Sequence, residues 1–292
     1  MTVQIFAHRG ASASYAEHTR GAYLQALADG ADGVECDLHL TADGALVLIH
    51  DDELDRTSNG TGPVADRTLR ELRDLDFSSW KGARIPPEYG GTAEQLLTLD
   101  ELLDILAGAG RDVALALEFK YGTFFDAALV DAALDALGAR GWSAADSVAG
   151  TVDVSFMSFH PEAVKYLAER VPAARLCQLL EEVGEVRGRA DDASAHAPAP
   201  AHAPGCRPRR SQAAGEALLD HGVARLAGPG VGYLRANAGK ASRWLAAGRT
   251  FRVWTVDTEE DLQLCLDAGV AEVTTNRPAD IRAMLGRPPK PA

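Results

Sequence analysis

The chain has 292 residues, 46% hydrophobic and 24% charged, and its 29 basic against 42 acidic side chains give a formal charge of −13. This composition excludes a wholly disordered, collagen-like or disulfide-stapled chain, and the length suits one large α/β domain or two small ones. A surface this acidic repels nucleic acid and anionic lipid head groups, so no nucleic-acid partner is expected, and an anionic ligand needs a metal ion or a few placed cations.

In chain order, short β-branched runs alternate with Ala/Leu-rich stretches of helical character. Strand-like runs occupy residues 3–7, 33–38, 46–50, 113–119, 152–156, 175–179, 223–227, 251–256 and 272–275. Helical patterns lie at 18–29, 99–107, 124–139, 161–170, 236–246, 259–268 and 279–285. Runs such as Val113-Ala-Leu-Ala-Leu117 are apolar on both faces, as in parallel strands covered from both sides. The alternation predicts a parallel sheet, either doubly wound or closed as a (β/α)8 barrel. Nine strand candidates exceed the eight places of a barrel, so at least one lies outside it. Residues 38–45 are too few for a helical crossover, and the turn Ala42-Asp43-Gly44 points to a hairpin instead.

Two stretches match no βα unit. Residues 51–98, polar and rich in Gly and Pro, predict a loop-like rim insertion. Residues 184–211 contain AHAPAPAHAP and then RPRR. Proline at that density breaks helices and is barred from central strands, which predicts a mobile excursion. Neither stretch predicts a core of its own, so a single domain is expected over residues 1–286, with a frayed tail at 287–292. No run approaches the roughly 18 apolar residues of a membrane span, and no stable membrane insertion is expected. The start, MTVQIFAHRG, lacks the pattern of a secretory signal. Cys36, Cys177, Cys206 and Cys265 are scattered with no CxxC, which predicts reduced thiols in a cytoplasmic protein. Nothing in the pattern specifies an oligomeric state.

Chemistry-bearing residues gather at the C-terminal ends of the first strands, the edge where α/β sheets build sites. His8-Arg9-Gly10 closes the first run and sets an imidazole beside a cation. Glu35-x-Asp37 closes the second, and the strand period of 2 places both carboxylates on one face, about 7 Å apart. Two acids on one buried face are costly unless a cation lies between them. His50 follows Leu46-Val-Leu-Ile49 and precedes Asp51-Asp52. Glu118-x-Lys120 closes a further strand with an acid and a cation on one face. Three oxygen donors with no Cys or His cluster favour one hard divalent cation, Mg2+ or Ca2+, over zinc. Two imidazoles supply a general base and a general acid near neutral pH, and Arg9 and Lys120 pair with an anion that also ligates the metal. Cleavage of a phosphodiester needs all of these: neutralised phosphate oxygens, an activated nucleophile and a protonated leaving alkoxide.

HRG followed by GADGVECDLHLTADGALVLIHDDELDRTSNGTG resembles the opening of the glycerophosphodiester phosphodiesterase family, densely over residues 5–62. Glu118-Phe-Lys120, Ser158-Phe-His-Pro161 and Trp254-Thr-Val256 look like its later strand-end signatures, carrying the resemblance to about residue 278. It implies a single (β/α)8 TIM-type barrel with a small insertion after the third strand, the strand that carries the second histidine. By the same resemblance His8 and His50 are the catalytic pair, and Glu35, Asp37 and Glu118 hold the cation. Arg9 and Lys120 bind phosphate, and Trp254 lines the substrate cleft. Glu17 falls on the acid of a Pro-Glu-Asn-Thr motif that in this chain runs Ala16-Glu-His-Thr19. With His160 it joins the candidate cleft residues. Asp257 stands where the family usually has Asn, and Asn276 where Asp is common. Both are expected at the cleft rim, bearing on substrate preference. The implied activity is metal-dependent hydrolysis of small glycerophosphodiesters to glycerol 3-phosphate and an alcohol, a step of glycerol and lipid metabolism. The attacking oxygen is water or the neighbouring glycerol hydroxyl, and either imidazole can be the base.

Plainer readings stand beside these. Glu118 and Lys120 also suit a simple ion pair, Trp254 core packing, and Glu-x-Asp a solvated sheet edge, although the apolar run around Glu35 and Asp37 speaks against the last. Cys36, on the opposite strand face, is expected to be buried packing, and His196 and His202 in the Ala/Pro tract to be solvated. A lysophospholipase D or sphingomyelinase D-like enzyme keeps the chemistry with a lipid diester, but no amphipathic membrane-binding segment favours it. A barrel that binds phosphoesters without turnover requires a broken metal or histidine set, and all seven residues are present.

Overall fold

The computed structural model describes residues 2–122, 124–182 and 209–288. The first strand, β1 (Gln4–His8), leads into α1 (Arg20–Ala28), β2 (Gly33–Leu40) and β3 (Leu46–Leu48). The insertion carries α2 (Leu69–Arg73) and ends at α3 (Leu99–Ala107), followed by β4 (Val113–Phe119) and α4 (Ala128–Ala139). Next come β5 (Val148–Ala149), β6 (Val152–Ser158), α5 (Pro161–Ala168), β7 (Leu176–Leu180) and α6 (Arg209–His221). The last part holds β8 (Leu226–Pro229), α7 (Val231–Ala236), α8 (Ala238–Ala246) and β9 (Thr250–Val253). It closes with α9 (Glu259–Asp267), β10 (Glu272–Thr275) and α10 (Pro278–Met284).

Eight parallel strands form a closed barrel, because β1 pairs with both β10 and β2. The remaining two are antiparallel partners on its outside: β3 pairs with β2 and β5 with β6. The expected hairpin at Ala42-Asp43-Gly44 is therefore present, and the third strand in chain order is no stave of the barrel. Among the described residues no helix is long and apolar enough to cross a membrane.

Strand alternation sorts the side chains into two populations. Outward residues such as Ile5, Val34, Cys36, Leu38, Leu115 and Leu117 join the large core beneath the helices. Cys36 accordingly packs away from the acids. Inward residues Phe6, Ala116, Met157, Cys177 and Leu226 fill the barrel. Its floor also holds Arg252, buried at 3% exposure and paired with Glu272 at 2.6 Å and Ser155 Oγ at 2.9 Å, with its guanidinium 4.0 Å from the centre of the Phe6 ring. Gly33 makes room for that ring, since a Cβ there would fall 2.6 Å from Phe6 Cε1 and 2.9 Å from Ala114 Cβ. Gly33→Ala is expected to destabilise by about 1–3 kcal/mol through overpacking, measured as a lower urea midpoint with an unchanged slope.

Several expected boundaries move for local reasons. The helix expected from residue 18 starts at Arg20, because Thr19 is its N-cap and accepts from the Ala22 N–H. The strand expected at 223–227 is shifted to Leu226–Pro229. Gly222, at φ +75°, ends α6, and Val223 bonds back to the Leu218 carbonyl. The insertion is not a coreless loop. Leu54, Val64, Leu72, Phe77 and Leu96 bury against Val47 and Ile49 in a small cluster of their own, with α2 fastened by a reciprocal Thr68–Glu71 cap. Of the expected excursion, 184–208 lies outside the described residues, while 209–211 already belong to α6. The tail at 287–288 is held rather than frayed: Arg287 bonds Asp32 and the Val3 carbonyl, and Pro288 accepts from Arg282. Residues 289–292 lie outside the described residues.

Candidate active site

At the C-terminal mouth of the barrel, β1 ends in His8 and turns sharply. Arg9 takes a left-handed backbone (φ +57°) and Gly10 follows at φ +82°, where a Cβ would fall 2.6 Å from the Ala22 carbonyl carbon. The turn aims the Arg9 N–H at Glu35 Oε2, 3.0 Å away. Its guanidinium bonds Glu17 Oε1 at 2.8 Å and lies 3.2 Å from Asp37 Oδ2.

The register sets His8 beside Glu35, and Asp37 beside Glu118. Oxygens of Glu35, Asp37 and Glu118 converge within 4.8 Å of one another, and all three residues are buried. The Lys120 ammonium stands 3.0 Å from Asp37 Oδ1 and 2.7 Å from Glu118 Oε1. Burial, then the neighbouring Asp37 charge, pushes the Glu35 carboxyl well above its ordinary range. Burial acts on Asp37 in the same sense, but Lys120, Arg9 and His18 outweigh it and hold that carboxyl well below its usual range. Glu35 Oε1 is buried with no hydrogen-bond partner. A buried oxygen without a donor, within an all-carboxylate set, suits a hard divalent cation.

The two imidazoles are backed differently. His8 Nδ1 lies 2.8 Å from Asn276 Oδ1. Burial and the Arg9 charge lower its pKa to about 3, so the ring is neutral near pH 7. His50 Nδ1 lies 2.6 Å from Asp51 Oδ1. Burial lowers its pKa as well, with the Asp51 hydrogen bond opposing. Arg56 bonds both Asp51, at 2.6 Å from Nε, and Glu17, at 2.7 and 2.8 Å. A continuous chain thus runs Arg9–Glu17–Arg56–Asp51–His50, so Glu17 ties Arg9 to the insertion.

Trp254 lies at the end of β9, edge-on to Phe159 at 5.5 Å, its Nε1 donating to the Gly228 carbonyl at 2.9 Å. It packs, partly buried, against the cluster inside the barrel. His160 lies among aromatic rings, Tyr121 at 6.0 Å and Phe125 at 6.1 Å. It is the N-cap residue of α5.

Sequence reasoning gave no definite role to three contributors, His18, Asp51 and Arg56, and too small a one to two more. His18, expected within a helix, sits at φ +60° with Nε2 2.9 Å from Asp37 Oδ2 and Nδ1 2.8 Å from the Tyr23 hydroxyl. Asp51 and Arg56 were present in the quoted opening without a role, and only the adjacency of Asp51 to His50 offered a signal. Asn276 and Asp257 do more than shape a rim: Asn276 contacts His8 and bonds Asp257.

The glycerophosphoryl diester phosphodiesterase family model matches residues 8–280. A probable glycerophosphodiester phosphodiesterase 1 of Mycobacterium tuberculosis is 34% identical over 282 residues, covering 96% of this chain and 92% of that protein. A glycerophosphodiester phosphodiesterase of Bacillus subtilis is 29% identical over 276 residues, covering 93% and 83%. The solved structure of an Oleispira antarctica phosphodiesterase in complex with the product sn-glycerol-3-phosphate shares the fold, with a TM-score of 0.74 at 22% identity over 98% of this chain and 97% of that one. The chain belongs to the glycerophosphoryl diester phosphodiesterase family of phosphoric diester hydrolases.

Proposed function

We propose that the protein hydrolyses small glycerophosphodiesters to glycerol 3-phosphate and an alcohol, using one divalent cation, Mg2+ or Ca2+, and two histidines. The observation that carries this is the convergence of Glu35, Asp37 and Glu118 beside Arg9 and Lys120. The product held by the Oleispira antarctica enzyme supports the glycerol phosphate half of the substrate.

Glu35, Asp37 and Glu118 would hold the cation, which when bound supplies charge neutralisation at the phosphate. Arg9 and Lys120 orient the phosphate through its non-bridging oxygens. His8, neutral and backed by an amide, takes the proton of the attacking oxygen at Nε2. His50, backed by the Asp51 carboxylate, gives a proton to the leaving alkoxide, because a carboxylate partner favours the charged imidazole. Trp254 offers an apolar wall to the alcohol. The whole barrel acts as one catalytic domain, and the buried unpaired thiols of Cys36, Cys177 and Cys265 support work in the reducing cytoplasm; Cys206 lies outside the described residues.

The test is release of glycerol 3-phosphate from glycerophosphocholine and glycerophosphoethanolamine, with lysophosphatidylcholine and sphingomyelin alongside. Hydrolysis of the soluble diesters, abolished by a chelator and restored by Mg2+ or Ca2+, is the expected outcome. Activity indifferent to the chelator removes the cation from the chemistry, and preference for the lipid diesters moves the substrate.

A further inference from the structure

The two residues that depart from the family pattern near the barrel mouth, Asp257 and Asn276, are bonded to each other. An Asp carboxylate only accepts hydrogen bonds. Asp257 Oδ1 accepts from the Asn276 backbone N–H at 2.8 Å and from the Thr275 hydroxyl at 2.9 Å, and Oδ2 lies 2.6 Å from Asn276 Nδ2. An amide oxygen in that last place would face a carboxylate oxygen with no proton between them. The carboxylate therefore fixes which way the Asn276 amide points, nitrogen toward Asp257 and oxygen toward His8.

Asn276 Oδ1 then meets His8 Nδ1 at 2.8 Å and Ser12 Oγ at 2.7 Å. An amide oxygen has no proton to give, so the single proton of the neutral His8 ring must sit on Nδ1. Nε2 keeps its lone pair. Ser12, also within 2.7 Å of the His8 carbonyl, has one proton for either oxygen and leaves this assignment unchanged.

We propose that Asp257 is a positioning residue that, through the Asn276 amide, holds His8 in the one tautomer able to take a proton at Nε2. The inference rests on His8 being the proton acceptor of the reaction. Among the described residues, the side-chain hydrogen bonds of Asp257 go to Thr275 and Asn276.

Asp257→Asn tests it with almost no change in shape. The oxygen of the new amide keeps the Asn276 N–H and the Thr275 hydroxyl, and its nitrogen now faces Asn276. Asn276 must turn its oxygen to that nitrogen and its own nitrogen to His8. His8 Nδ1 becomes an acceptor and the ring proton moves to Nε2. Nitrogen-15 spectra of histidine-labelled full-length protein should show the protonated and bare His8 nitrogens interchange. kcat should fall ~10²–10⁴-fold, the range of lost general-base function and of a wrong tautomer, with KM within about threefold. The double variant Asp257→Asn/Asn276→Asp places an acceptor-only carboxylate against His8 and a donor behind it, and should recover the Nδ1–H tautomer and most of kcat. A merely structural role would predict no such rescue.

A Nε2–H tautomer in the unsubstituted protein overturns the proposal without any variant. So does Asp257→Asn protein that keeps both the Nδ1–H tautomer and its kcat, or a folded double variant no better than the single one. If instead the tautomer shifts as expected while His8→Ala retains full activity, the positioning stands and the role given to His8 falls.

Discussion

His8→Ala and His50→Ala are each expected to lower kcat by ~10²–10⁴-fold, the usual contribution of a positioned acid or base. The losses should fall on kcat more than on KM, because in the proposed mechanism Arg9 and Lys120, not the rings, hold the phosphate. With acid and base acting in one displacement, as proposed, the double variant should lose far less than the product of the two single effects. Asp51→Asn is expected to cost about tenfold or more, through His50, since an amide cannot favour the charged ring as the carboxylate does at 2.6 Å, and through the weakened bond to Arg56. Steady-state hydrolysis of glycerophosphocholine checks all four variants. Unchanged kcat in both single histidine variants would rule out acid–base chemistry by this pair.

The second large effect concerns Glu35. Glu35→Gln is expected to weaken divalent-cation binding by ~10²-fold or more and to lower kcat/KM at least as much. The same change should stabilise the metal-free protein by about 1–3 kcal/mol, because it removes a buried carboxylate that faces a second one. The pH dependence gives the sign. The Glu35 carboxyl titrates above its unfolded value, so between the two values the folded chain holds a proton that the unfolded chain has released. Metal-free stability is thus full below the ordinary carboxylate range and falls as pH rises through the Glu35 titration. Asp37 runs the other way: its carboxyl titrates below the unfolded value, and its contribution is lost only in strong acid. Cation binding favours the ionised Glu35 and releases its proton, so the stability gained from Ca2+ or Mg2+ should be larger at about pH 8 than at about pH 5. Urea unfolding with and without cation at both values checks this, and Glu35→Gln should flatten the difference. A cation effect equal at both pH values, or none at all, would place the ion elsewhere.

The alternating parallel-sheet class and the acid pairs were legible in the residues themselves, because these rest on short-range rules; closure into a barrel rather than a doubly wound sheet was implied only by the family resemblance. The period of 2 puts Glu35 and Asp37 on one face, and Glu118-x-Lys120 follows the same rule. The turn at 42–44 already pointed to a hairpin, but which strand candidate lay outside the barrel was open until β3 was seen to pair antiparallel with β2. Satellite packing in the insertion was not legible, because Leu54, Val64, Leu72, Phe77 and Leu96 follow no helical or strand period. Nor was the place of His18, whose left-handed backbone looks from the sequence like the first turn of α1. Tertiary structure alone decided the partners of the two imidazoles. Closure of β1 onto β10 brings Asn276 to His8 across 268 residues, and folding of the insertion brings Arg56 to Glu17 across 39. A hydrogen bond between side chains so distant along the chain leaves no periodic trace, because it depends on where the barrel closes rather than on any local preference of the backbone.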